Sequence, residues 1–257
     1  MKRLLALIYG VTVYCLFLAT FLYAILFVAG VAVPKTIDSG PVLPVWQAAL
    51  IDALLLSLFA IQHSVMARNG FKQVWTRVVS WHVERSTYVL AATLALAFVM
   101  WQWRPIPNVI WDLRGTIAGS VLAILFWIGW AILLLSTTLI NHFELFGLQQ
   151  VWSYARGQQF HRPAFKAPLF YKWVRHPIYL GFVIAFWSAP RMTAGHLLFS
   201  VATTGYILLG IYFEERDLIR SFGNAYVEYC RQVPMLIPLG KRYAKKLQTA
   251  LDAEQNF

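Results

Sequence analysis

The sequence predicts an all-α fold: a polytopic transmembrane helix bundle of about four full spans, then a C-terminal helical hairpin of unequal arms and a cytoplasmic cap. Three observations lead there. Of 257 residues, 59% are hydrophobic and only 13% charged, whereas about a quarter charged is usual in a soluble domain. Several apolar runs reach the roughly 20 residues that cross a hydrocarbon core of about 30 Å. Lys and Arg gather beside the ends of these runs, in alternate loops.

The first run, residues 4–33, follows Lys2 and Arg3 and resembles a secretory signal. It is too long for one and lacks a clear small-residue cleavage site, so it is expected to remain as a span. Further spans fall at 43–67, 87–103 and 115–140. In the connector 141–177, Gly157, Pro163 and Pro168 break any long helix, and Trp152, Tyr154, Phe160, Phe165, Phe170 and Tyr171 suggest a surface resting on the membrane. The arm at 178–190 reaches only about 20 Å at about 1.5 Å per residue, while 194–213 is long enough to cross. The last segment, 214–257, starts helical and stops near Pro234 and Pro238. With no internal repeat or soluble second domain, the chain reads as one domain over 1–257: spans to 140, connector to 177, hairpin 178–213, and cap and tail from 214.

The formal charge of +11 would raise nucleic acid as a partner for a soluble domain, but here the basic residues report topology. Lys2 and Arg3, then Arg68, Lys72, Arg77 and Arg85, then Arg156, Arg162, Lys166, Lys172 and Arg175 mark cytoplasmic segments. The opposite loops hold Lys35 with Asp38, Arg104 with Asp112 and Arg114, and Arg191. Both termini are therefore expected in the cytoplasm, with membrane lipid and not nucleic acid around the chain. Cys15 and Cys230 cannot make a disulfide framework or a metal site by themselves, and apolar packing is the default for Cys15.

The densest cluster of chemistry is RHPIYLG, Arg175 to Gly181, followed by EERDL from Glu214 and FGNAYVEYCRQVP from Phe222. These lie at both feet of one hairpin. His176 precedes Pro177, a residue favoured in a helix's first turn, so a helix N-terminus with its partial positive charge points at whatever sits there. Tyr179 lies three residues on, on roughly the same face, and Gly181 lets another backbone or a ligand approach closely. Across the foot, Glu214 and Glu215 could bind an ammonium or a ribose diol. An alternative reading has Arg175 and the two Glu residues as interfacial ion pairs, with His176 as a cap.

RHPxYxG, an EE pair after a short hairpin, FGxxYxxY and a closing VP-x3-P pattern together resemble the isoprenylcysteine carboxyl methyltransferase superfamily of membrane enzymes. Upstream, NHFELFGLQQVW at 141–152 and QHSVMAR at 62–68 are similar to its bacterial methanethiol S-methyltransferase branch. The resemblance implies a helical fold in a bacterial inner membrane and S-adenosylmethionine in a cytoplasmic pocket, with S-adenosylhomocysteine as product. It places cofactor contacts on Arg175, His176, Pro177, Tyr179, Leu180 and Gly181, with Glu214, Glu215, Tyr226 and Tyr229 closing the other side. It implies methylation of methanethiol to dimethyl sulfide; another thiol, a prenylcysteine carboxylate or a lipid amine are the alternatives.

Methyl transfer from a sulfonium is an in-line displacement, helped by alignment and exclusion of water. No metal is demanded. A small thiol is mostly protonated at neutral pH, so a base near sulfur would help, and histidine is the natural candidate. His63 and His142 both stand near cytoplasmic helix ends, and Asn141 and Glu144 flank His142, where a carboxylate would orient the imidazole and raise its basicity. His82 with Glu84 reads as a solvated loop pair, and His161 and His196 as surface residues. Tyr179, Phe143, Phe146 and Trp152 are the rings nearest in sequence that could face a sulfonium. Two other classes stay open: a b-type haem subunit with His63 and His142 as axial ligands, and a non-catalytic membrane protein that keeps the fold for partner binding.

Overall fold

The computed structural model describes residues 1–160 and 167–238. Expectations placed on His161, Arg162, Pro163, Phe165, Lys166 and the tail beyond 238 lie outside the described residues. In chain order the helices are α1 (Lys2–Ala29), α2 (Val45–Ala67), the short α3 (Asn69–Trp75) and α4 (Trp81–Gln102), then strand β1 (Val109–Asp112). Next come α5 (Ile117–Ile140), α6 (His142–Leu145), α7 (Leu148–Arg156) and a 3₁₀ turn (Leu169–Lys172). The hairpin follows as α8 (Pro177–Trp187), β2 (Arg191–Thr193) and α9 (Ala194–Phe222), and α10 (Asn224–Gln232) is the last helix among the described residues.

Five of these helices, α1, α2, α4, α5 and α9, are long and apolar enough to cross a membrane, and α8 is the shorter apolar arm. The all-α polytopic bundle is thus the fold. Much of the apolar side chain surface points outward, as in Leu54, Ile61, Leu94 and Ile124, because lipid is as apolar as leucine and helix contacts must come from close packing instead. The backbones of α5 and α8 approach each other closely. A Cβ on Gly181 would sit 2.6 Å from the Gly129 carbonyl oxygen and 2.9 Å from the Leu133 amide nitrogen, and one on Gly129 would sit 2.7 Å from the Gly181 oxygen. The glycine of the RHPIYLG run therefore serves backbone-to-backbone packing. Phe126, Trp130, Leu133, Ala185 and Phe186 continue this interface into the main core with Phe21, Ile25, Val99 and Trp103.

The two ends of the bundle are tied differently. At one end β1 and β2 form an antiparallel ribbon, pairing Val109 with Thr193 and Asp112 with Arg191. Thr193 donates to Asp38 at 2.6 Å, and the buried Trp103 indole donates to the Ile37 carbonyl at 3.0 Å. This end gathers Lys35, Asp38, Arg104, Asp112, Arg114 and Arg191, the residues that the sequence assigns to one side. At the other end Arg68 pairs with Asp217 at 3.0 Å and Arg85 donates to the Leu145 carbonyl at 2.8 Å.

Two local expectations are corrected. His82 and Glu84 are not in a loop, because α4 begins at Trp81, and the His82 ring stacks on Tyr154 with centroids 3.6 Å apart. His196 is not a surface residue: it is 3% exposed and its Nε2 donates to the Phe186 carbonyl at 3.0 Å. The last carbonyls of a helix lack intrahelical partners, and at the buried end of α8 His196 shares this one with Ser200, whose hydroxyl donates at 2.7 Å. The segment from Glu214 starts helical, as the sequence suggests. The helix α9 runs on through both Glu residues to Phe222 and turns into α10 at Gly223, whose φ of 56° and ψ of −136° suit glycine.

Candidate active site

The feet of the hairpin are joined by one buried basic residue. Arg175, 4% exposed, donates through Nε to Glu215 Oε1 at 2.7 Å and through Nη1 to the Cys230 and Val233 carbonyls at 3.0 and 2.7 Å. His176 Nε2 donates to the same Glu215 oxygen at 3.0 Å, so this histidine does not cap α8 with its side chain. The backbone completes the joint: the Arg175 and His176 amides donate to the Pro234 and Met235 carbonyls at 2.9 and 3.2 Å. The RHP run and the VP run, some 60 residues apart in sequence, thus lie side by side.

Glu214, next to Glu215 on α9, is placed differently. Its side chain is 43% exposed against 6% for Glu215. Tyr179 Oη donates to its Oε2 at 2.8 Å, and His176 Nδ1 stands 3.9 Å from the same oxygen. Beside it, α8 starts at a buried Pro177 in its first turn, which leaves the positive helix end facing this edge. Leu180 continues α8, its amide bonded to the His176 carbonyl at 3.0 Å.

Tyr226 and Cys230 pack with Ile219 under this joint, and Tyr229 donates to the Tyr171 carbonyl at 2.5 Å. Burial pushes the phenols of Tyr171, Tyr226 and Tyr229 above their ordinary range, so they act as neutral donors. Burial also pushes the Cys230 thiol up to about 11, which leaves it protonated and a poor nucleophile at neutral pH.

The two candidate bases occupy separate settings. His63 lies between α2, α4 and α9: Phe59 stacks on it with centroids 5.3 Å apart, the Tyr88 ring is at 5.2 Å and the Tyr206 ring at 6.5 Å. Tyr88 Oη is 3.1 Å from His63 Nδ1 and 3.0 Å from Nε2. Tyr206 Oη is 3.2 Å from Ser64 Oγ.

His142 joins α1 to α5. Thr137 Oγ1 donates to the Leu134 carbonyl at 2.8 Å, so at 2.9 Å it accepts from His142 Nδ1, and Nε2 accepts from Tyr14 Oη at 2.8 Å. With both nitrogens engaged by hydroxyls, Glu144 is not the group that orients this ring. Asn141 caps α6 instead, accepting from the Glu144 amide at 3.3 Å while its Nδ2 donates to Glu144 Oε2 at 3.2 Å and to Gln149 Oε1 at 2.5 Å. Burial moves His142 below the ordinary histidine range, opposite to the expected rise in basicity. Tyr14, Thr138, Asn141, His142 and Phe143 line an open depression of about 380 Å³. His63 and His142 thus have separate hydroxyl partners, Tyr88 for one and Thr137 with Tyr14 for the other.

Sequence reasoning missed Tyr88, Tyr206, Tyr14 and Thr137. The i to i+4 spacing of His63 with Phe59 on one helix was readable; the tyrosines arrive from other helices and carried no local signal.

No family model matches the chain, and no solved structure matches it. Curated proteins do. Methanethiol S-methyltransferase of Mycobacterium tuberculosis is 54% identical over 243 residues, covering 95% of this chain and 100% of the relative. Methanethiol S-methyltransferase 1 of Bradyrhizobium diazoefficiens is 53% identical over 92% of this chain and 83% of its own length. Nurim of Homo sapiens is more distant, 31% identical over 67% of this chain and 72% of its own.

Proposed function

Because the chain belongs to the methanethiol S-methyltransferase family, we infer that it transfers a methyl group to the sulfur of methanethiol, giving dimethyl sulfide, with S-adenosylmethionine as donor. The observation that carries this reading is the extent of the likeness, 48 to 54% identity across 84 to 95% of the chain in six relatives of that name.

The residues at the hairpin feet fit such a donor. The N-terminus of α8 suits its carboxylate, and the half-exposed Glu214 suits its ammonium or ribose diol. When bound, the donor supplies a methyl group on a sulfonium, open to in-line displacement. Tyr179 fixes the Glu214 carboxylate, His176 presents Nδ1 to the same edge, and the Arg175–Glu215 pair holds α8 and α9 in register beneath it. Pro177, Leu180 and Gly181 set the start of α8, and Tyr226 and Tyr229 close the floor. Alignment and desolvation are then the main sources of rate.

Charge distribution favours the cytoplasmic side of a bacterial inner membrane for this edge, with both termini cytoplasmic. A single domain over 1–257 carries the activity. The test is incubation of purified protein with methyl-labelled S-adenosylmethionine and a panel of acceptors. Labelled volatile dimethyl sulfide and S-adenosylhomocysteine in equal amounts are expected. Transfer to a prenylcysteine carboxylate or a lipid amine, with none to methanethiol, would overturn the substrate.

A further inference from the structure

We propose that His63 is the catalytic residue that takes the thiol proton and that Tyr88 is the positioning residue that fixes its ring; this rests on the thiol methylation proposed above. The hydrogen bonds separate His63 from His142. In His142, Nδ1 donates to Thr137 and Nε2 accepts from Tyr14, so no lone pair is left for a proton. In His63, one hydroxyl, that of Tyr88, lies 3.1 and 3.0 Å from the two ring nitrogens. In the base-competent arrangement Tyr88 Oη accepts the N–H of one ring nitrogen, which leaves the lone pair of the other open.

Position supports the same choice. Tyr206, whose ring lies 6.5 Å from the His63 ring, stands on α9, the helix that also carries Glu214. Phe59, Tyr88 and Tyr206 surround its imidazole on several sides, and such rings attract a sulfonium within about 6 Å of their centroids. The charged and titratable groups facing the pair are Arg85 and Glu84 from α4, Arg68 from the joint between α2 and α3, Tyr206 from α9 and Tyr179 from α8. The Arg85 guanidinium stacks 5.0 Å over the Tyr88 ring while its Nε is held by the Leu145 carbonyl.

The step balances. The thiol S–H bond breaks and its proton goes to the open nitrogen of neutral His63. The electron pair left on sulfur forms the new S–C bond as the bond from the methyl carbon to the sulfonium sulfur breaks, leaving two neutral thioethers and an imidazolium. Water takes the proton between turnovers.

The experiment is a pH–rate profile at limiting methanethiol and saturating donor for wild type, His63→Gln, Tyr88→Phe and His142→Gln, with S-adenosylhomocysteine binding as the check on folding. Wild type should rise through a histidine titration and level off. His63→Gln should lose about a hundredfold at neutral pH and then gain about tenfold per pH unit toward the thiol's own pKa. Tyr88→Phe should move the midpoint of the profile while leaving donor-product affinity alone, and His142→Gln should keep the wild-type shape. A readout without turnover uses wild type only: the ring ¹⁵N resonance of His63, and not that of His142, should shift when methanethiol is added to the S-adenosylhomocysteine complex. An active wild type with an unaltered His63→Gln profile, or a shift at His142 alone, would overturn the proposal. A wild type that methylates no thiol would overturn the reading on which it rests.

Discussion

Glu214 and Glu215 are adjacent in sequence and opposite in setting. Glu215 is sealed beneath α10 with Arg175 and His176 on one oxygen; Glu214 stands half exposed with Tyr179 as its hydrogen-bonded neighbour. A carboxylate whose partners are all internal holds the fold, whereas one that keeps an exposed oxygen can hold a ligand. The EE pair of the sequence is therefore two devices, and substitutions at the two positions should fail in different ways.

The largest effect is expected at the sealed carboxylate. Glu215→Ala leaves the Arg175 guanidinium buried without its counter-charge, which costs about 3–5 kcal/mol, and the melting temperature of detergent-solubilised protein should fall accordingly. A Glu215→Ala protein that melts like wild type but binds S-adenosylhomocysteine poorly would merge the two devices into one. Next is Gly181→Ala, whose Cβ would press on α5 backbone at 2.6 and 2.9 Å. Overpacking of this kind costs about 1–3 kcal/mol. Loss of donor-product affinity with no loss of stability would instead mark Gly181 as a ligand contact.

The smallest effect concerns His142, away from both carboxylates. Its folded form titrates below the ordinary value of about 6.5 because burial disfavours the cation. The unfolded chain binds its proton first, so the stability held by the α1 to α5 tie is complete above about pH 6.5 and is lost as pH falls toward the lower folded value. Melting curves of wild type and His142→Gln should converge on acidification. Curves that stay parallel from pH 8 to pH 5 would remove His142 from the tie.

Much of this was legible. Apolar runs gave the long helices because lipid crossing demands length, and basic residues sorted the loops by side. The spacing of RHPIYLG, EERDL and the VP run brought the hairpin feet together. The rest depends on contacts between distant segments. The ribbon of VIWD with RMT is four residues against three, too short for an alternating pattern to show. His196 looks like a surface residue until the fold sets it, with Ser200, on the Phe186 carbonyl at the end of α8. The partner of His142 is Thr137, in the last turns of α5, and Tyr14 from α1; the neighbouring Glu144 is drawn into capping α6, which no local count of charges reveals.

The most direct test of the central claim, that the open edge at Glu214 holds the methyl donor, is calorimetric titration of S-adenosylhomocysteine into wild type, Glu214→Gln and Tyr179→Phe. A hydrogen bond to a charged group is worth about 1.5–3 kcal/mol, so affinity should fall roughly ten- to hundredfold in Glu214→Gln, and less in Tyr179→Phe, with melting temperatures unchanged in both. Wild-type affinity in both variants would contradict the account.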